Sequence, residues 1–226
     1  MTYDLTRRLV AEALGTFFLV MAVIGSGIMA QTLAGGNEAL ALLCNTVSTG
    51  AVLFVVITAF IGISGAHFNP AVSLAMLLRG ALPAGEVLPY VAVQIVGGCL
   101  GAVAAHLMFG LEPLQVSQHA RTGAGQWLGE VIATFGLVGT ILACVRFNPG
   151  AIAGAVALYI TSAYWFTSST SFANPAVTIA RAISDTYAGI APGHVPAFLV
   201  AQLVGAALAV AIFGWLLRPG SDVADD

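Results

Sequence analysis

The sequence has few charged residues. Only 8% of its 226 residues are Asp, Glu, Lys or Arg, whereas 59% are hydrophobic. Because about a quarter of the residues of a soluble domain are charged, this chain is too apolar for water and a lipid bilayer is its expected solvent. Lysine is absent, there is no basic tract, and the net charge is −3. This composition argues against nucleic acid as a partner.

Cysteine is also scarce. The three cysteines, Cys44, Cys99 and Cys144, each lie inside an apolar run, which predicts buried thiols rather than a disulfide framework or a metal cluster. The four histidines are scattered, and the carboxylates are not paired in a way that suits acid–base chemistry. We therefore expect no enzyme activity, no catalytic residue, no cofactor and no bound metal.

Six segments are long enough to cross a hydrocarbon core of ~30 Å, which needs about 20 residues. They are approximately residues 9–31, 39–61, 83–109, 126–145, 150–170 and 194–217. The first run follows Arg7 and Arg8, as a signal peptide would, but it contains Glu12 and is too long for the apolar part of a signal peptide. We therefore interpret it as a retained membrane span.

The arginines predict the orientation of the spans. With the N-terminus inside, the cytoplasmic arginines are Arg7, Arg8, Arg79, Arg146 and Arg218, and only Arg121 and Arg181 fall outside. This bias fits the excess of positive charge in cytoplasmic loops, so both termini are expected in the cytoplasm. The polar tail, residues 221–226, is expected to be disordered.

The chain repeats itself. Asn69-Pro70-Ala71-Val72 returns as Asn174-Pro175-Ala176-Val177, the surroundings of Glu12 return around Glu130, and those of Gln94 around Gln202. Each half contains two spans, an Asn-Pro-Ala segment and a third span. We predict one all-α transmembrane channel domain over residues 1–226, with repeats at about 7–110 and 126–218 and a linker at 111–125.

Each Asn-Pro-Ala box predicts a short helix, since Asn is a good helix cap and Pro suits the first turn. The expected segments are residues 72–78 and 177–183. Three spans separate them, so they enter from opposite sides as in an inverted repeat. A helix of about nine residues is ~13 Å long, roughly half of the core. The preceding loops, 62–68 and 168–173, are tolerated at that depth when they line a water-filled cavity.

These motifs together resemble the aquaporin superfamily of major intrinsic proteins, over nearly the whole chain. The resemblance implies a homotetramer with one pore per subunit, in which both Asn side chains donate hydrogen bonds to solute and loop carbonyls accept them. It implies pore-lining boxes at Asn69, Pro70, Ala71, Asn174, Pro175 and Ala176, with Glu12, Glu130 and His67 supporting the loops. A carboxylate in mid-membrane costs at least ~2.5–3.5 kcal/mol, so both glutamates need partners, and loop N–H groups are suitable ones.

One position departs from the family pattern. Val177 follows the second box, where most members have an Arg that narrows the outer constriction and repels cations. Counting from the boxes without gaps places the other filter positions at Thr49, Ser162 and Ser171, although a slip at Ser162 would bring in another side chain. These four residues form a wide filter without an aromatic ring or a guanidinium. The nearby cluster from Tyr164 to Phe166 is interpreted as packing or interface aromatics.

The expected function is passive conduction of small neutral solutes across the inner (plasma) membrane. Cations would be excluded at the Asn69/Asn174 waist, chiefly by the cost of dehydration. The Val177 replacement resembles bacterial aquaglyceroporins associated with arsenic-resistance operons, which favours trivalent arsenic species, including methylated arsenite, together with glycerol and some water. The alternatives are a water channel, a secondary transporter, which also uses inverted repeats, and a junction protein with a vestigial pore.

Overall fold

A computed structural model describes residues 3–219, in which all regular structure is helical. The eight α-helices are α1 Leu5–Leu33, α2 Glu38–Ser64, α3 Pro70–Leu78, α4 Ala84–Met108, α5 Ala124–Phe147, α6 Ile152–Phe166, α7 Pro175–Arg181 and α8 Val195–Leu216. The predicted architecture of six crossing helices and two half-helices is confirmed. The tail at 221–226 lies outside the described residues.

Five of the crossing helices, α1, α2, α4, α5 and α8, are long and apolar enough to span a membrane on their own. The sixth, α6, has 15 residues, or ~22 Å of helix, and a 3-10 turn at Pro149–Ala151 extends it at its start. The predicted span at 150–170 was too long at its end. There the chain leaves the helix after Phe166, where Thr167 Oγ1 donates to the Ala163 carbonyl, 2.7 Å away.

The two half-helices, α3 and α7, begin at the proline that directly follows each Asn, two residues earlier than predicted. Proline fits the first helical position because the N–H it lacks has no partner there. Asn69 Oδ1 accepts from the N–H of Ala71 at 2.9 Å, and Asn174 Oδ1 accepts from Ala176 at 3.0 Å. Each Asn therefore caps its own helix.

Helices α2 and α6 are antiparallel, and this fixes where the half-helices enter. Thr49 hydrogen-bonds to Tyr164, whereas Phe54, further along α2, lies against Gly154 near the start of α6. The loops that follow α2 and α6 are therefore at opposite ends of the bundle. Helices α3 and α7 enter from these opposite ends, and their N-terminal ends meet, as the parity of the spans predicts.

Glycine allows the long helices to approach closely. Helix α1 packs on α4 and α2, and α5 packs on α8 and α6. A Cβ on Gly97 would lie 2.3 Å from the Ala13 carbonyl oxygen, and one on Gly205 would lie 2.4 Å from that of Val131. In lipid, no hydrophobic force drives helices together, and small residues at the contacts are what permit tight packing.

The cysteines are less buried than predicted: Cys44 is exposed, and Cys99 and Cys144 are partly exposed. An apolar run in a membrane helix has faces toward lipid as well as toward protein, so apolar surroundings in sequence do not ensure burial. Large aliphatic side chains such as Leu88 and Leu158, exposed at 77% and 72%, occupy the same outer surface.

Candidate pore and its ends

An elongated cavity of about 300 Å³ runs between the helices. Helices α2 and α6 each line it with a stripe of residues four apart, which puts them on one helical face. The stripes are Thr49, Leu53, Ile57 and Ile61 on α2, and Ile152, Val156, Ile160 and Tyr164 on α6. Twelve residues of helix rise ~18 Å, so the cavity is a passage rather than a round pocket.

The side chains of Asn69 and Asn174 meet in the wall of this passage. Asn69 Nδ2 donates to the Ala173 carbonyl at 2.7 Å, and Asn174 Nδ2 donates to the Phe68 carbonyl at 2.8 Å. Each amide nitrogen carries two hydrogens, so one remains for a molecule in the passage. Both residues line the cavity, with only 4% and 5% of their surfaces exposed.

The rest of each box lies beside the passage rather than on its wall. Pro70, Ala71, Pro175 and Ala176 are buried and are not among the residues that line the cavity. The prediction that they line the pore needs this correction. Only one side of the first helical turn faces the cavity. Within each box and the residue after it, the lining residues are the Asn and the valine three positions later.

Both loops before the boxes use left-handed backbone at matching positions. Counted back from each Asn, positive φ occurs one, three and four residues earlier: at Phe68, Ala66 and Gly65 in the first loop, and at Ala173, Ser171 and Thr170 in the second. For non-glycine residues this backbone costs of order 1 kcal/mol or more each. The surroundings must therefore hold the loops in place.

Two buried glutamates supply that support. Glu12 accepts from the N–H groups of His67 and Phe68 at 2.9 and 2.6 Å, and also from Ser64 Oγ and Gln94 Nε2. The side chains of Glu12 and Glu130 are both fully buried. His67 also hydrogen-bonds through Nδ1 to Ser73 Oγ at 3.1 Å, while the residue contributes to the cavity wall.

Glu130 repeats this arrangement behind the second loop. It accepts from the N–H groups of Phe172 and Ala173 at 2.9 and 2.8 Å, and from Gln202 Nε2 at 2.6 Å. Hydrogen bonds to a charged acceptor are stronger than neutral ones, so each carboxylate offsets both its own burial and the strain of its loop.

Three of the four predicted filter residues, Thr49, Ser171 and Val177, line the passage. Ser171 Oγ is buried and has no hydrogen-bond partner among the described residues. Ser162 lies elsewhere. It is exposed on α6, and its Oγ donates to the Tyr159 carbonyl at 2.7 Å.

Tyr164 lines the passage instead of Ser162, with its hydroxyl 3.3 Å from Thr49 Oγ1. Two residues along a helix correspond to a turn of about 200°, so the count that selected Ser162 selected the opposite face. The expectation that this end has no aromatic ring is therefore wrong.

A guanidinium also reaches this end of the passage. Arg181 is only 2% exposed, lines the cavity, and places its Cζ 3.4 Å from the centroid of the Phe172 ring. Its Nε donates to the Ala188 carbonyl. The expectation of no guanidinium is wrong as well. The signal was present in the sequence, because Arg181 follows Val177 by four residues and so shares its helical face.

Comparison with known proteins agrees with this geometry. The family model described as major intrinsic protein matches residues 1–173. The aquaglyceroporin AqpS of Rhizobium meliloti is 54% identical over 221 residues, covering 98% of this chain and 94% of that protein. The probable aquaporin AqpM of Archaeoglobus fulgidus is 31% identical over 247 residues, covering 96% and 100%.

A solved structure shows the same fold. The X-ray structure of the aquaglyceroporin from Plasmodium falciparum matches with a TM-score of 0.79 at 20% identity, covering 98% of this chain and 100% of that one. The extent of the family match and the similarity to AqpS lead to one conclusion. The chain belongs to the major intrinsic protein family and is a multi-pass membrane protein that conducts small solutes passively, not an enzyme.

Proposed function

We propose that the channel conducts small uncharged solutes, with trivalent arsenic species (arsenite and methylated arsenite) and polyols such as glycerol as its main cargo, and some water. The similarity to a protein named aquaglyceroporin supports the polyols. The single observation that carries the proposal is the composition of the wall, because the aliphatic Val177 and the hydroxyl residue Ser171 both line the passage. Such a wall accommodates a neutral hydroxylated molecule.

The waist suits the same cargo. Asn69 and Asn174 each have an N–H to donate, while the passage is otherwise mostly apolar. A neutral solute with hydroxyl groups can exchange water for these donors one contact at a time. An ion would lose hydration worth several kcal/mol without equivalent replacement.

Electrostatics adds to this exclusion of cations. Each half-helix N-terminus carries about +0.5 charge, which at ~5 Å and an effective dielectric of ~20 repels a monovalent cation by about 1–2 kcal/mol. On the same assumptions the full charge of Arg181 contributes on the order of 3 kcal/mol. Arg181 thus supplies part of the repulsion that family members obtain from an Arg at the position of Val177.

We further propose a homotetramer in the plasma (inner) membrane with both termini in the cytoplasm and the Arg181 end of the passage facing outward. The bias of the arginines supports this orientation. In this assignment Thr49, Ser171, Val177 and Tyr164 form the outer constriction.

A channel mainly for water is the alternative, favoured by the Tyr164 ring at the constriction and by the similarity to AqpM. A secondary transporter is the less favoured alternative. Flux that persists without an ion gradient and does not saturate would exclude it.

The test is a panel of water, glycerol and arsenous acid fluxes in proteoliposomes, with Val177→Arg and, as a control for bulk without charge, Val177→Leu. We expect Val177→Arg to cut arsenite and glycerol flux at least tenfold while retaining part of the water flux, and Val177→Leu to have a smaller effect. Unchanged arsenite uptake in Val177→Arg would refute the arsenic proposal, and wild-type vesicles that pass only water would establish the alternative.

A further inference from the structure

A second cavity of about 230 Å³ adjoins the passage at its Arg181 end. We call it the outer vestibule; it is lined by Glu38, His119, Arg121, Thr170, Arg181 and Tyr187, among others. At ~30 Å³ per water, it has room for about seven water molecules. Arg181 lines both the vestibule and the passage, so a ligand here would lie next to the conducting route.

The vestibule holds two guanidiniums on one aromatic ring. The Cζ atoms of Arg181 and Arg121 lie 3.4 and 5.1 Å from the centroid of Phe172, so they are at most about 8.5 Å apart. Arg121 donates to the Gly189 carbonyl at 2.8 Å, but its other two bonds, to Thr170 Oγ1 and the Tyr187 carbonyl, are long at 3.4 Å.

Neither guanidinium has a carboxylate partner among residues 3–219, where the ion pairs are Arg7–Asp4 and Arg8–Glu86. Glu38, at the exposed edge, adds one negative charge to the lining of the vestibule. Burial and the neighbouring Arg121 lower the pKa of His119, which favours its neutral form. A buried charge is costly unless it is paired, and here two positive charges face one small space.

We propose that the outer vestibule binds one small free oxyanion of the phosphate or sulfate class, bridged between Arg121 and Arg181. Guanidinium groups recognise such oxyanions through paired, charge-assisted hydrogen bonds, and the Thr170 hydroxyl can add a further donor. The ring of Phe172 contacts both guanidiniums by cation–π interaction, which places both beside the same small cavity.

Occupancy should also affect conduction, and this part of the inference rests on the proposed function. An ion held by Arg181 would stand at the mouth of the passage and neutralise the charge there. Neutral-solute flux should fall as the site fills.

The binding test uses the full-length protein in a phospholipid-free maltoside detergent, titrated with sodium sulfate in a calorimeter. We expect one site per chain, weakened at least tenfold in Arg121→Gln and tightened several-fold in Glu38→Gln. Arg146→Gln, which removes an exposed arginine from the opposite mouth, should bind as the wild type does. Equal weakening in Arg146→Gln, or no binding by the wild type, would refute the site.

Two further measurements complete the test. Because Arg121 ties two loops together, Arg121→Gln could misfold, whereas the exposed Glu38 leaves an independent test: unchanged affinity in Glu38→Gln contradicts the proposed site. Phosphatidylglycerol that displaces sulfate would assign the site to a lipid phosphate and overturn the free ion, and a lack of competition would support it.

Flux separates the two proposals. Glycerol flux in liposomes, measured in sulfate and in chloride at equal ionic strength, should be several-fold slower in sulfate. Sulfate binding without any such slowing refutes control of the passage. Sulfate binding in a protein that passes none of the neutral solutes refutes the proposed function and leaves the site standing.

Discussion

The two ends of the passage are built from equivalent positions but differ in chemistry. Three residues after each box Asn, a valine lines the wall, Val72 in one half and Val177 in the other. Seven residues after each Asn, the lining residue is Met76 at one end and Arg181 at the other. The lining of the passage is therefore matched at its waist and unmatched further out, where one half-helix contributes a thioether and the other a guanidinium.

The supports behind the waist are matched as well. Gln94 Nε2 donates to Ser73 Oγ at 3.0 Å, and Gln202 Nε2 donates to Thr178 Oγ1 at 2.8 Å. Ser73 and Thr178 both stand four residues after their Asn. Features common to both halves hold the half-helices together, so the features found in one half only are the ones that can distinguish the two mouths.

The largest expected effect is the loss of a buried carboxylate. Glu130→Leu leaves the N–H groups of Phe172 and Ala173 and the Gln202 amide without their acceptor. At about 1.5–3 kcal/mol for each bond to a charged group, we expect destabilisation of about 4 kcal/mol or more, measured by denaturation in detergent. Glu12→Leu should lose at least as much.

The matched control is Glu112→Gln, which changes an exposed carboxylate in the segment between α4 and α5 and should leave stability unchanged. If only one of the two buried glutamates proves essential, the two waist supports are not equivalent and the comparison between halves fails.

Exchanging the mouth residues tests the difference directly. Arg181→Met gives both half-helices the same lining residue seven positions after the Asn, and removing about 3 kcal/mol of repulsion should raise potassium flux about 100-fold, read with a voltage-sensitive dye in proteoliposomes. Water flux checks that the passage remains intact. Adding Met76→Arg should lower the leak again, because the charge returns at the other mouth. A potassium flux that stays at the wild-type level in Arg181→Met would show that dehydration at the waist is sufficient to exclude cations without the charge of Arg181.

The helix contacts should respond equally in the two halves. Gly97→Ala and Gly205→Ala each push a methyl group against a carbonyl oxygen of the neighbouring helix, at 2.3 and 2.4 Å. Each substitution should lower the free energy of unfolding, measured by denaturation in detergent, by about 1–3 kcal/mol. Gly85→Ala, in α4 with nothing within 4 Å of the new Cβ, should instead be neutral or slightly stabilising. Clearly unequal losses of stability in Gly97→Ala and Gly205→Ala would show that the two helix crossings differ in how far they can relax.

Much of the fold was predictable because the membrane limits the options. Apolar runs of spanning length, the paired boxes and the parity of the spans together required half-helices that meet in the middle. The partners of Glu12 and Glu130 were predictable from the sequence, since a carboxylate at that depth needs donors and the loops before the boxes have N–H groups to offer. The Cys44 thiol could not be placed, because apolar sequence does not distinguish a lipid-facing side from a protein-facing one.

The Arg181 end of the passage was the part that the sequence did not place correctly. Ile61 stands eight residues before Asn69, but Tyr164 stands ten residues before Asn174, so the second loop is longer and an ungapped count lands on the wrong face of α6. Arg181 was missed for a different reason. The family pattern directs attention to the residue directly after the box, whereas here the guanidinium comes from one helical turn further on.

The smallest expected effect tests that corrected face. Ser171 is one of the residues that line the passage, and its Oγ has no hydrogen-bond partner among the described residues. We expect Ser171→Ala to slow glycerol flux a few-fold, since the loss of one neutral hydrogen bond to a polyol is worth about 0.5–1.5 kcal/mol. Ser162→Ala, on the exposed side of α6, should leave glycerol and arsenite flux unchanged. Stopped-flow light scattering on matched proteoliposomes resolves the difference. A larger effect from Ser162 than from Ser171 would restore the ungapped count and place the constriction on the other face of the helix.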